Sequence, residues 1–283
     1  MPLKTFATLL SLAISVTLLS AETRIRPPAN KYTPAQDVQL GRQAAAEVHR
    51  RLPILNDAQV TSYVASIGQK LVAAIPSDLR HRDFRYTFQV VNAREINAFA
   101  LPGGPMFVNR GMIEAARTEG QIAGVMAHEL SHVVLRHGTA QASKATKYEI
   151  GEVAGSILGA IIGGRVGSVV AQGTRLGLGT AFMRFSREFE RQADIEGSHL
   201  MARAGYDPRD MASMFKLIAQ RSGPGGPEWL SDHPNPGNRY EYISQEAGML
   251  HVTRPVHDTG AFRQTQVRLR RMPPAPSMQQ TRR

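Results

Sequence analysis

The sequence predicts a mainly helical α+β fold on three observations. Helix start signals recur along the chain, with capping residues at Thr33, Thr118 and Asp207. One stretch, residues 84–112, has instead the β-rich runs and turn residues of a small sheet. The length of 283 residues and the hydrophobic content of 42% suit one domain with a sizeable core.

Residues 1–21 have the layout of a secretory signal peptide. Lys4 precedes an apolar run from Phe6 to Leu19, and small residues end at Ala21. This run is shorter than the roughly 20 residues that a membrane span needs. An exported chain without cysteine cannot use disulfides, which favours the periplasm of a bacterial envelope. The alternative is an uncleaved N-terminus that anchors the protein in the inner membrane.

Six helices are predicted from capping patterns and hydrophobic periodicity. They cover residues 34–51, 57–75, 119–137, 187–204 and 208–220, with a last helix from about residue 236. Thr33 and Thr118 open capping boxes, because a glutamine follows each of them three residues later. Gly138 and Gly205 mark the ends of two of these helices.

The β-rich stretch predicts a small antiparallel sheet. A strand-like run, FRYTFQVVNA, is followed by INAFALPGGPMFVNRGM, which has the pattern of two short strands joined by a Pro-Gly-Gly turn. In the first of these two strands, Asn97, Phe99 and Leu101 lie on one face. Ala98 and Ala100 lie on the other face.

A glycine-rich segment, residues 153–183, contains small residues at Gly155, Gly159 and Gly163, a spacing of four that lets helices approach closely. Two arginines divide it into uncharged runs too short to cross a bilayer. We expect close-packed helices beside the functional site. The alternative is a hairpin that touches a membrane.

The C-terminal tail, residues 251–283, carries seven arginines and only one acidic residue, Asp258. Such a charge bias suits contact with anionic lipid. Its end, MPPAPSMQQTRR, has the composition of a disordered segment. We therefore expect one folded domain, residues 22–250, followed by a basic and disordered tail. No nucleic-acid-binding motif is present in the sequence.

The stretch MAHELSHVVLRH contains an arrangement that suits a metal site. His128 and His132 are one turn apart and about 40° apart around a helix, so both imidazoles can reach one ion. Glu129 lies on the flank of that face, where it can act as a base on a metal-bound water. His137 would lie on the opposite side of this helix, so we expect it to remain outside the site.

Two histidines leave a tetrahedral zinc site short of one protein ligand. A third histidine six residues after His132 is absent, because that position is Gly138. The segment SREFERQADIEG offers Glu190 and Asp194, which are four residues apart and share a helix face. Glu190 can ligate the metal, while Asp194 can accept a hydrogen bond from a ligand histidine. A solvated face paired with neighbouring arginines is the alternative for these two carboxylates.

The motifs HELSH, EFERQAD, NAFALPGG and DHPNPGNR together resemble the HtpX and CAAX prenyl protease family of zinc metallopeptidases. The resemblance implies a zincin-like domain in which His128, His132 and Glu190 bind one zinc ion. It makes Glu129 the general base and Asp194 the residue that orients a ligand. The membrane helices of the prenyl and heat-shock proteases have no counterpart here, so the soluble periplasmic branch is the better match.

The same resemblance implies two further elements of the site. A substrate peptide would add as an extra strand along Asn97, Ala98, Phe99 and Ala100. His233, in DHPNPGNR, would lie beside the cleft, where it can stabilise an oxyanion, occupy the open zinc position or serve only the structure of its loop.

The expected function is a zinc-dependent metalloendopeptidase of the bacterial envelope that degrades unfolded or misassembled envelope proteins. The substrate class follows from the resemblance alone. Two other functions stay open at this point. One is a chaperone-like holdase whose zinc site is silenced by His233, and the other is a protease anchored in the inner membrane.

Overall fold

The computed structural model of the protein describes residues 22–144, 185–221, 229, 233 and 238–278. The expected α+β class with mainly helical content is confirmed. The strands are β1 (Thr87–Val91), β2 (Ala98–Ala100) and β3 (Pro105–Asn109). The helices of the described residues are α1 (Pro34–Arg51), α2 (Ala58–Ala73), α3 (Arg110–Ala115), α4 (Glu119–Val134), α5 (His137–Lys144), α6 (Arg187–Arg203), α7 (Pro208–Gln220), α8 (Arg239–Met249) and α9 (Gly260–Arg271).

The sheet is mixed, with the strand order β1-β3-β2. β2 and β3 form the expected antiparallel hairpin, whose turn contains Gly103 and Gly104 at positive φ. The expectation of a purely antiparallel sheet was wrong, because β1 pairs with β3 in parallel. β3 lies between the other two strands. After β1 the chain therefore forms β2 at the opposite edge of the sheet, and it then turns back to form β3 in the middle, parallel to β1.

The sheet is covered on both faces, as its alternating residues predict. Phe99 and Leu101 pack toward α1, in a cluster with Ala44 and Val48. Ala98 belongs instead to the main core, which contains residues of α2 and α4. The alternation of side chains along β2 therefore agrees with the faces expected from the sequence.

Helix α4 is the centre of the fold, and every one of its residues is buried. It ends at Val134, so the expected continuation through His137 was wrong. Arg136 has φ 59°, and its guanidinium is held by Asp37, with Nε 2.6 Å from Oδ2. This left-handed residue turns the chain. His137 thus begins a separate helix, α5.

The C-terminal tail is folded as far as residue 278, so the expectation of disorder was wrong for that part. Helix α9 buries Phe262 and Leu269. Arg110, which is itself buried, donates to the carbonyl oxygen of Leu269 at 2.7 Å. Met278 is buried beside the α1 face of the sheet. The amphipathic helix α9 and the buried guanidinium of Arg110 thus attach the tail to the domain. The amino-acid composition of the tail does not indicate these contacts.

Two other expectations concern regions that the structure describes only in part. The glycine-rich segment 153–183 lies outside the described residues. The expected start of the last helix, near residue 236, also lies outside the described residues. The next described helix, α8, begins at Arg239. Among the described helices, none is both long and apolar enough to cross a bilayer.

Candidate metal centre

Helices α4 and α6 pack together and bring three potential ligand atoms to one point. The Nε2 atoms of His128 and His132 are 3.1 Å apart. The carboxylate of Glu190 lies 3.5 Å from the first of these nitrogens and 3.4 Å from the second. The edge of a tetrahedron around zinc is about 3.3 Å for ligand distances of about 2.0–2.1 Å. The three buried side chains therefore have the spacing of a tetrahedral site.

Hydrogen bonds at the outer ring nitrogens determine the tautomers of both histidines. The Nδ1 atom of His128 donates to Asp194 at 2.9 Å. On the other ring, Nδ1 of His132 lies 3.0 Å from Nδ1 of His137, whose Nε2 lies 3.1 Å from Oε1 of Gln192. Because the Gln192 oxygen only accepts, His137 donates through Nε2 and accepts from His132 through Nδ1. Both Nε2 lone pairs consequently point toward each other, and a cation between them would stabilise this arrangement.

The protonation states that metal binding needs are also favoured. Burial lowers the pKa of His132 to about 4 and lowers the pKa of His137 well below its usual value. Burial alone would raise the pKa of Glu190, but His233, His128 and His132 hold it well below its usual range. His132 and His137 are therefore neutral, and the Glu190 carboxylate is ionised.

His233 completes the cluster from the segment before α8. Its Nδ1 atom lies 3.0 Å from Oε1 of Glu190 and 3.2 Å from Nε2 of His128. The ligand atoms of His128, His132, Glu190 and His233 all lie within 4.8 Å of one another. His233 thus lies where a fourth ligand would bind, which is the corner that the sequence interpretation leaves for water or an oxyanion.

Glu129 lies beside this corner and is buried. Its Oε1 atom accepts from Nε1 of Trp229 at 3.0 Å and lies 3.3 Å from Nε2 of His233. The indole of Trp229 stacks on His233 and on Phe215, with ring centroids 4.6 and 4.8 Å apart. Sequence reasoning missed Trp229. The available signal was that the one tryptophan of the chain lies four residues before His233.

Arg239, the first residue of α8, holds the supporting carboxylate. It makes two hydrogen bonds to Asp194, from Nε at 2.7 Å and from Nη2 at 2.6 Å. Tyr242 also donates to Asp194, through a short hydrogen bond. Burial alone would raise the pKa of Asp194, but Arg239 and His128 hold it below its usual range. Asp194 is therefore an anion with a fixed orientation.

The charges of the centre favour a divalent cation. Its buried carboxylates are Glu129, Glu190 and Asp194, and its buried guanidinium is that of Arg239. Three negative charges and one positive charge leave two negative charges when the histidines are neutral. Uncompensated charge is costly in a buried site, and a divalent ion would neutralise it. The donor set of imidazole and carboxylate suits zinc.

Comparison with known proteins identifies the family of this chain. The sequence profile of Peptidase family M48 matches residues 58–247, which include strand β2, helix α4 with its two histidines, and Arg239. This chain belongs to peptidase family M48. The resemblance expected from the four motifs is thereby confirmed.

Several relatives have names that state an activity. The chain is 33% identical over 221 residues to the Beta-barrel assembly-enhancing protease of Escherichia coli (strain K12), which covers 76% of this chain and 44% of the relative. It is 30% identical over 167 residues to the mitochondrial Metalloendopeptidase OMA1 of Homo sapiens, covering 56% and 32%. A mitochondrial metalloendopeptidase OMA1 of Arabidopsis thaliana is 30% identical over 156 residues, covering 55% and 30%. The chain spans less than half the length of these relatives.

Within this family M48 domain, the expected substrate strand β2 is an edge strand, and among the described residues it pairs only with β3. The carbonyl oxygen of Asn97 accepts from Asn109, and Phe99 is paired with Phe107, so these two residues are turned into the sheet. The alternation of an antiparallel ladder then points the N–H and C=O groups of Ala98 and Ala100 away from β3. Of the four expected residues, these two are the ones whose backbone faces outward.

Proposed function

We propose that this family M48 protein is a zinc-dependent metalloendopeptidase with one zinc ion per chain. One observation carries the proposal. The Nε2 lone pairs of His128 and His132 face each other at 3.1 Å, with the carboxylate of Glu190 within 3.5 Å of both. A cation bound by both nitrogens and by the carboxylate would remove the repulsion between their lone pairs. The names of the relatives support the same activity.

The chain would supply the zinc ligands His128, His132 and Glu190, with Asp194 orienting the first of them. When bound, zinc polarises the scissile carbonyl and lowers the pKa of a coordinated water. Glu129 accepts the proton of the attacking water and passes it to the leaving amine. The indole N–H of Trp229 keeps the Glu129 carboxylate turned toward the reacting atoms.

His233 would regulate access to this centre. Water and a scissile carbonyl need the fourth corner, where the imidazole of His233 lies. The structure is then a closed form, and His233 has to leave the corner before hydrolysis begins. Stacking on Trp229 and the contact with Glu129 hold the imidazole in the closed position. We assign His233 this restraining role in preference to oxyanion stabilisation.

Substrates would bind as extended strands along the edge of β2. Ala100 is half-buried and would offer its outward N–H and C=O groups, whereas Ala98 is buried and would have to be uncovered before it could pair. Such backbone hydrogen bonds do not depend on substrate sequence. Such recognition requires an unfolded segment, because folded proteins rarely expose a free strand. Substrates among unfolded or misassembled envelope proteins are compatible with the name of the Escherichia coli relative, which links a protease to β-barrel assembly.

Export would deliver the protein to the periplasm after removal of residues 1–21. Contact with anionic membrane lipids would use helix α9, whose exposed face carries arginines. Arg270 and Arg271 have no ion pair within the described part of the chain, whereas Arg268 pairs with Asp57. Two unpaired arginines at the end of one helix suit a weak and salt-dependent contact.

The decisive experiment compares casein cleavage by the zinc-loaded mature protein and by its Glu129→Gln variant. We expect the variant to bind zinc normally and to lose about 10²- to 10⁴-fold in rate, because general acid–base catalysis contributes that much. Glu241→Gln, an exposed glutamate on α8, is the matched control and should cleave at the wild-type rate. Equal cleavage by the Glu129→Gln variant and the wild type would refute the mechanism.

A holdase is the second candidate, and the position of His233 favours it, since an occupied fourth corner suits a silent site. A holdase would suppress aggregation of an unfolded client equally well with Glu129→Gln. It would also release no peptide products after His233→Ala. Zinc-dependent products from the His233→Ala variant would exclude a purely chaperone-like function.

A further inference from the structure

A cluster of charged residues joins residues 22 and 23 to helices α6 and α8. Thr23 donates to Glu246 of α8 twice, from its backbone nitrogen at 3.1 Å and from its hydroxyl at 2.6 Å. Glu246 also lies 2.7 Å from Nε2 of His199 on α6. Glu22 accepts from Nη2 of Arg203, at the end of α6, at 2.8 Å. The N-terminal cluster, as we call it, consists of Glu22, Thr23, Glu196, His199, Arg203 and Glu246.

Glu196 is the member of this cluster whose hydrogen bonding is incomplete. Its side chain is buried, and its Oε1 atom has no hydrogen-bond partner among the described residues. Nη1 of Arg203 lies 3.6 Å from Oε1, and Nδ1 of His199 lies 3.6 Å from Oε2. Both distances are too long for a hydrogen bond. A buried oxygen without a partner is costly, so a further donor at Oε1 would stabilise the cluster.

The charges of the N-terminal cluster leave one negative charge uncompensated. Its anions are the carboxylates of Glu22, Glu196 and Glu246, and its permanent cation is the guanidinium of Arg203. Burial alone would lower the pKa of His199, but the two neighbouring glutamates raise it, so His199 can supply a second positive charge. A group that brings one more positive charge and N–H donors would therefore complete the cluster.

Removal of residues 1–21 would create such a group. The peptide nitrogen of Glu22 is neutral while residue 21 is attached, and cleavage converts it into an α-ammonium group with N–H donors. This nitrogen is one residue away from the Thr23 nitrogen that donates to Glu246, which places it within about 7 Å of that carboxylate. The side chain of Glu22 contacts the same guanidinium, that of Arg203, as Glu196 does.

We propose that the N-terminal cluster binds the α-ammonium group of Glu22 and that Glu196 is its ion-pair partner. This inference rests on the proposed removal of residues 1–21 and not on the peptidase activity. The precursor has an uncharged nitrogen at this position, so the cluster would be complete only after processing.

The position of the cluster connects processing with the metal centre. Helix α6 carries the proposed zinc ligand Glu190, and α8 begins with Arg239, which holds Asp194 of α6. The N-terminal cluster joins the same two helices through His199 and Glu246. Binding of the new N-terminus would therefore fasten together the helices that support the metal ligands.

The test compares the mature chain, which begins at Glu22, with a control chain that begins at Ser20 and has its α-ammonium group two residues further away. Both chains are released from a fusion partner without extra residues, loaded with zinc and treated with an amine-acylating reagent at neutral pH. Mass spectrometry follows the N-terminal peptide, and each rate is divided by the rate of the same chain in urea. The mature chain should react about tenfold more slowly, because the ion pair would raise the pKa of the α-amino group and reduce its uncharged fraction by about that factor.

Two substitutions examine the partner of the α-ammonium group. Glu196→Gln should bring the acylation rate of the mature chain to within about twofold of the control chain, because the proposed ion pair is lost. Glu241→Gln, at an exposed glutamate of α8, is the matched control and should leave the slow rate unchanged. In urea, the unfolding equilibrium constant of the mature chain should be about tenfold smaller than that of the control chain, and Glu196→Gln should abolish this difference. The comparison of the two starts alters no side chain of the cluster, so it holds even if Glu196→Gln folds poorly.

Equal acylation of the mature and control chains would overturn the inference. A slow rate that Glu196→Gln leaves unchanged would overturn it as well, because the protection would then come from another group. N-terminal sequencing of the exported protein adds a further check, and a start other than Glu22 would overturn the inference together with the proposed processing. Casein cleavage by the zinc-loaded protein is measured separately, so failure of these tests and failure of the peptidase function are distinguishable.

Discussion

Replacement of His137 by phenylalanine should weaken zinc binding although His137 is not itself a ligand. In the structure His137 accepts from Nδ1 of His132 at 3.0 Å and thereby directs the Nε2 lone pair of His132 toward the proposed metal position. Phenylalanine keeps a ring of similar shape, and the parallel stack on Phe189, with centroids 4.4 Å apart, would persist. The substitution therefore removes the acceptor for His132 and the donor to Gln192 but keeps the ring packing.

The expected magnitude follows from the burial of this contact. His132 and His137 are both buried, so an Nδ1–H group without an acceptor costs about 1–3 kcal/mol. The other tautomer would carry its proton on Nε2, where it blocks ligation. One factor of ten corresponds to about 1.4 kcal/mol, so the Kd for zinc should rise about 10- to 100-fold. The change should appear in affinity even before activity is measured.

The assay is competition for zinc against a chromophoric chelator, with thermal unfolding of the metal-free protein recorded beside it. His251→Phe, at an exposed histidine, is the control and should leave the zinc affinity unchanged. Gln192→Met tests the same chain of hydrogen bonds one step further out and should give a smaller loss. A zinc affinity of His137→Phe within twofold of the wild type, with an intact metal-free fold, would refute the reasoning.

Three further predictions concern other parts of the molecule. Substitution of alanine for His233 should raise casein cleavage while zinc remains bound through three ligands, and reduced cleavage at full zinc occupancy would contradict the restraining role. Burial alone would lower the pKa of His199, but Glu196 and Glu246 raise it above its usual range. Charged His199 thus stabilises the fold fully below about pH 6.5, and this stability is lost as the pH rises through the raised pKa. In urea unfolding of the zinc-loaded protein, the His199→Gln variant should not show this loss of stability with rising pH. Parallel profiles of unfolding free energy against pH for the variant and the wild type would contradict the prediction. Met278→Ala should lower the free energy of unfolding by about 2 kcal/mol, because Met278 is buried, and an unchanged urea midpoint would mean that the end of the tail is not docked.

Much of the candidate site is predictable from local spacing. Residues four apart on a helix share a face, so HELSH is sufficient to bring His128 and His132 to one ion. The same periodicity placed Glu190 and Asp194 together on α6, and the structure brings both to the histidines. The hairpin of β2 and β3 is equally local, because the Pro-Gly-Gly turn determines which strands meet. These features follow from geometry within a few residues of the chain.

Parallel pairing of β1 with β3 shows where such reasoning stops. The sequence indicates where the strands lie along the chain. Their order in the sheet depends on how the helices pack against them. The tail is a similar case. Its arginine-rich composition suggested disorder, yet α9 docks because the buried guanidinium of Arg110 finds the carbonyl oxygens of Leu269 and Pro273. A contact between residues about 160 positions apart has no local signature.

The sequence by itself thus determined that His128 lies beside His132, that Glu129 flanks them and that Glu190 lies beside Asp194, since each depends on the repeat of one helix. Only the tertiary structure decided what surrounds them. The left-handed Arg136, held by Asp37 from α1, ended α4 early and brought His137 behind His132. Packing of distant segments likewise carried His233 to the fourth corner. Long-range contacts of this kind depend on how whole elements pack, which no spacing along the chain encodes.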